Sequence, residues 1–111
     1  MEKRSIETLM NLNGRVYVCL DNEEAAEQFF MQAEAEGFTF GDGERPTARH
    51  RDCIMAVNKD HTISYVGFVG HMAFGSGTES VGNEPLIRVD YRRYLTGEED
   101  FLYRLNSSAE H

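Results

Sequence analysis

Arg45, Arg49 and Arg51 crowd one short stretch with His50 between them, just after glycine backbone at Gly41 and Gly43. Guanidinium forks match phosphate oxygens bidentately, and exposed glycine amides can complete an anion site. With His71, placed where a loop could present it, these arginines form a candidate site for a phosphate-bearing ligand. The competing use is plainer: the same arginines neutralise the acidic segment beside them. Neither GxxxxGK[ST] nor GxGxxG occurs. Metal ligation would draw on Cys19, His50, Cys53, His61 and His71, but no second pair completes a tetrahedron by spacing, so neither metal nor other cofactor is expected. Gly75-Ser76-Gly77 lacks the flanks of GxSxG, and both cysteines lie in apolar strand-like runs where a thiol is inert. No catalytic residue is expected.

The stronger anomaly is acidic. From Val16 through Glu44 there are eight Asp and Glu residues and no Lys or Arg. Glu34 and Glu36 fall where a helix C-terminus disfavours anions, by roughly 0.3–1 kcal/mol each when exposed. Two readings follow: a solvated face that keeps the protein soluble, or a contact surface for a basic partner made by Glu23, Glu27, Glu34, Glu36 and Asp42. Over the whole chain, 19 acids against 11 bases leave a net charge of −8, which repels phosphates and anionic lipids and argues against direct nucleic-acid or membrane binding. Residues 1 to 13 lack the apolar region of a signal peptide, and no apolar run approaches the ~20 residues of a membrane span. Two cysteines in apolar runs suit a reducing compartment, so a cytoplasmic location is expected.

These side chains must be positioned by a small α+β fold, with one domain expected over 1–111 and fraying at 1–13 and 106–111. Its organising element is DNEEAAEQFFMQAEAEG, Asp21 to Gly37. Asp21 and Glu24 have capping-box spacing, Gly37 suits a left-handed helix end, and Ala26, Phe29, Phe30 and Ala33 form an apolar stripe. The spacing predicts a helix over about 22–36 on one face of a mostly antiparallel, four- to five-stranded sheet, in the order β-α-β-β-β-β. Strands are expected at Arg15–Leu20, Phe38–Phe40, Cys53–Val57, Thr62–Val69 and from Pro85 to Tyr91, the last as an edge. Asn58 to His61 should turn a hairpin, and a glycine-punctuated loop should follow it. Ile6, Leu9, Met10 and Leu12 are spaced like a short helix, and Thr96 with Glu99 could cap another through Leu105. Val16, Val18, Phe29, Phe30, Ala33, Ile54, Ile63, Tyr65 and Ile87 are the expected core.

The helix ending in EGFTFGDG, followed by TISYVGFVGHMAF and PLIRVDYRRYL, resembles small uncharacterised proteins of phages and mobile elements in Gram-positive bacteria. Gly37, Phe38, Phe40 and Gly43 carry the likeness, which spans residues 15 to 95 and brings no catalytic residue across. It implies an accessory protein: an acidic anti-defence inhibitor acting on the basic surface of a host nuclease, a nucleotide sponge, or an assembly adaptor.

Overall fold

A computed structural model of the chain describes residues 4–103. It shows β1 (Arg15–Cys19), α1 (Glu23–Ala35), β2 (Thr39–Phe40), β3 (Ile54–Val57), β4 (Thr62–Tyr65), α2 (Gly67–Gly75), β5 (Ser80–Val81), β6 (Glu84–Asp90) and α3 (Tyr91–Leu95), with 3-10 helices at Ile6–Asn11 and Pro46–Ala48. The α+β class is as expected. The strands form a sheet of six in the order β2-β4-β3-β1-β6-β5, more than the four to five expected. It is also mixed, since β6 runs parallel to β1 and β2 parallel to β4, while the other three pairings are antiparallel. β6 is not the edge that its mixture of apolar and charged positions suggested, since it lies between β1 and β5. Proline lacks a ladder donor, but Pro85 is the second residue of β6 and faces only the two-residue β5, so the rest of the strand pairs fully with β1.

Helix α1 starts one residue later than the capping-box spacing suggested. The Asn22 side chain accepts from the Ala25 amide at 2.7 Å, and Asp21 instead pairs with Arg92 at 3.1 Å. The other end is as read: Gly37 has φ 87°, and the Gly37 and Phe38 amides reach back to the Glu34 and Ala33 carbonyls at 3.1 and 2.9 Å, a Schellman close. Ala26, Phe29, Phe30 and Ala33 are buried against Val16, Val18, Met55, Val57, Ile63 and Val89 of the sheet. Phe29 meets Tyr91 edge-on with ring centroids 5.3 Å apart. Two expected core residues, Tyr65 and Ile87, are only half-buried. Tyr65 sits at the rim because its hydroxyl donates to the His50 carbonyl at 2.6 Å.

Strand alternation sends Tyr17, Ile54, Ala56 and Leu86 to the opposite face, where they pack with Phe74 of α2. That second cover was not expected. The run TISYVGFV reads as one strand, yet β4 stops at Tyr65 and a helix occupies 67–75 where strand and loop were expected. A continuous apolar run fits a strand or a buried helix equally well, and tertiary packing decides. Gly67 at φ 74° turns the chain, and Gly70 lets the first turn close: a Cβ there would lie 2.4 Å from the Cβ of Val66. Arg88 then closes the other end, donating to the carbonyls of Ala73, Phe74 and Thr78 at 2.8–2.9 Å.

The amino-terminal segment is not frayed over 4–13. Ile6 and Leu9 are fully buried, and Lys59 donates to the Leu12 carbonyl at 2.7 Å at the end of the first 3-10 helix. The carboxy-terminal helix lies earlier than expected: α3 follows β6 directly, Asp90 accepts from the Arg93 amide, and Thr96 ends the helix instead of starting it. Leu105 and residues 106–111 lie outside the described residues. Among the described residues, no helix is long and apolar enough to cross a membrane.

Candidate functional site

The arginine segment follows β2 and wraps back toward α1. Arg49 is ion-paired with Asp42 and, at 3.3 Å, with Glu44, and its guanidinium stands 4.7 Å from the Phe40 ring centre. Arg51 reaches Glu23 of α1 at 3.2 Å. His50 stacks on Tyr65, and Arg45 precedes the turn Pro46–Ala48 without a side-chain hydrogen bond to it. His71 turns to Asp52 at 3.2 Å. The arrangement therefore sets Arg49 and Arg51 against the chain's own carboxylates, and places His71 on a different element from all three arginines.

The acids are similarly engaged, and their partners explain the two glutamates at the wrong end of the helix dipole. Glu34 accepts from the Thr47 hydroxyl at 2.5 Å and the Thr47 amide at 3.1 Å, bonds that hold its carboxyl below the usual range. Glu36 accepts from the Ile6 and Glu7 amides at 2.9 and 2.8 Å and from Gln32 at 2.8 Å, so it caps the first 3-10 helix and ties it to α1. Donors aimed at these charged carboxylates offset their unfavourable place at the helix C-terminus. Asp42 is lowered by the Glu44 amide and by Arg49. Of the five acids expected to face a partner, Glu27 alone has no hydrogen bond or ion pair among the described residues. Glu24, one turn earlier, is also without one. With Gln28, Met31, Gln32 and Ala35 they line a groove of about 420 Å³ along the outer face of α1, where Met31 is 56% exposed.

A second cluster forms at the pole where β1 and β6 end and α1 begins. Asp52 and Cys53 immediately precede β3, and His71 on α2 closes over them; one donor atom from each lies within 4.8 Å of the others. Burial pushes the Asp52 carboxyl up, but the Cys53 amide at 2.7 Å and His71 outweigh it and the net direction is down. Burial and the Asp52 charge push the exposed Cys53 thiol up, which is the wrong direction for an activated nucleophile. Cys19, half-buried alongside, is pushed up to about 11 by burial and by Asp21 and Asp90. Among the described residues, His61 plays no part here: its Nε2 lies 2.9 Å from the Glu36 carbonyl and its ring stacks on Phe38.

Asp52 and Glu24 went unselected in the sequence. The only signal for Asp52 was its place beside Cys53, and its approach to His71, 19 residues on, depends on α2 being a helix. No protein-family model, curated protein or solved structure matches the chain.

Proposed function

We propose that this is a non-catalytic binding protein that engages a basic protein surface through the outer face of α1. One observation carries the reading: among the described residues, Glu24 and Glu27 are carboxylates without a hydrogen-bond or ion-pair partner on a helix whose other acids are engaged, and they flank the exposed Met31 in an open groove. Carboxylates around a flexible apolar side chain suit a partner presenting Lys or Arg around an apolar contact. The likeness to small phage and mobile-element proteins supports an anti-defence inhibitor as the form this binding takes, with the nucleic-acid channel of a host nuclease as the basic surface. Glu23, Glu34, Glu36 and Asp42 then act mainly by building the scaffold.

The test is inhibition of purified defence nucleases by the full chain and by the double variant E24K/E27K. Wild-type inhibition that weakens with added salt, and its loss in a double variant of unchanged circular dichroism, is the expected result. Salt-independent inhibition, or a double variant as potent as wild type, would refute the reading. A thermal-shift screen of cyclic and linear nucleotides tests the sponge alternative, because a ligand at a hundredfold its Kd adds about 2.7 kcal/mol of stability.

A further inference from the structure

We infer that Asp52, Cys53 and His71 form a binding site for a borderline-soft divalent cation, zinc above all, that clamps α2 to the start of β3. The geometry is close to what such an ion needs. Three atoms no more than 4.8 Å apart share a point within about 2.8 Å of each, so movements of about 0.5–0.8 Å bring sulfur to ~2.3 Å and nitrogen and oxygen to ~2.0–2.2 Å. The donors are chemically distinct. A thiolate with an imidazole selects zinc over calcium or magnesium, which take all-oxygen shells.

The surroundings favour a cation as well. Asp21 and Asp90 act on the adjacent Cys19, while Arg51, the nearest basic side chain in sequence, is held by Glu23. Asp52 is already oriented, one oxygen on the Cys53 amide and the other on His71. Cys53 is exposed and the two other side chains are each 33% exposed, so an ion can enter and Cys53 can lose its proton to water as it binds. Three protein ligands leave one tetrahedral position facing solvent, open to water or to a side chain of a partner.

Clamping has a mechanical purpose. Helix α2 contains Gly67, Gly70 and Gly75, has no side-chain cap at its start, and exposes Phe68, Val69 and Met72. Glycine is a poor helix former, so this element depends on its tethers. Arg88 secures its end, and a metal at His71 would secure its middle.

The test is titration of the chelator-stripped full chain with cobalt(II) chloride and then zinc chloride. One equivalent of cobalt should give a sulfur-to-metal charge-transfer band, which zinc abolishes. Cys53→Ser should remove that band, and Asp52→Asn or His71→Gln should weaken binding by more than ~100-fold, the upper range for losing merely an outer-sphere partner. Cys53 is exposed, so its serine variant keeps the fold, and glutamine at 71 can still donate to Asp52. Zinc should also raise the Tm of the wild type and of none of the variants. Absence of the band, its survival in Cys53→Ser through Cys19, or full-affinity binding by His71→Gln would overturn the inference.

Discussion

At the scale of the residue, partners decide what each ionisable side chain can do. Cys19 and Cys53 lie on paired segments yet differ in access: Cys53 is exposed, whereas Cys19 is half-buried with its thiol pushed up to about 11. In metal-free protein at pH 8, iodoacetamide should therefore modify Cys53 well before Cys19, as peptide mass spectrometry would show; equal rates would mean that Cys19 is not protected. Glu34 gives a pH signature. Its folded carboxyl lies below its ordinary value of 4.5 because Thr47 donates to it twice. A depressed acid stabilises the fold fully above its unfolded pKa and loses that contribution as pH falls through the folded one, so the effect should fade below about pH 4.5. Thr47→Val should flatten that part of the stability profile, measured by urea melts from pH 7 to pH 3.

At the scale of the element, α2 is where local and tertiary forces conflict. Its glycines are not equivalent. A methyl at Gly70 would collide with Val66, whereas a Cβ at Gly75 meets nothing within 4 Å. Gly70→Ala should destabilise the fold by about 1–3 kcal/mol through overpacking, while Gly75→Ala should be neutral or stabilise it by about 0.4–1 kcal/mol. Denaturant melts of the two variants would check this, and similar losses in both would contradict the assigned packing. The α1 stripe poses no such conflict: helix period, cap and closing glycine agree, which is why the helix was legible from its residues. The cap shifted from Asp21 to Asn22 because either side chain could accept from the first turn, and Arg92, contributed by the distant α3, draws Asp21 away.

At the scale of the whole molecule, Glu36 ties the amino-terminal segment to the end of α1. It holds the first 3-10 helix, while Gln32 beside it accepts from the buried Tyr91 hydroxyl at 2.6 Å and donates to the Arg4 carbonyl at 2.8 Å. Burial pushes the Tyr91 hydroxyl far up, so it remains a donor throughout the neutral range. Glu36→Ala should cost about 1.5–3 kcal/mol and accelerate hydrogen exchange at the Ile6 and Glu7 amides, with strand β3 unaffected until global unfolding. E24K/E27K makes the opposite prediction: two charge reversals that leave the melting temperature within a few degrees, because neither side chain has a hydrogen bond or ion pair among the described residues. A large destabilisation in the double variant would mean that this face serves the fold and not a partner.

What the sequence by itself determined is whatever depends on near neighbours in the chain: the α1 stripe, its Gly37 terminus, the Asn58–His61 turn and the strand alternation that buries Val16 and Val18 on one face. It also exposed the imbalance of charge, since counting needs no geometry. Only the tertiary structure decided which acids are free. Glu34, Glu36 and Asp42 look like Glu27 in the sequence, and what separates them is whether Thr47, the amides of Ile6 and Glu7, or Arg49 come within hydrogen-bonding distance. The same holds for the parallel pairing of β1 with β6 and for the meeting of Asp52, Cys53 and His71. Each joins segments separated by long stretches of chain, and local residue preferences carry no information about which distant segments will pack together.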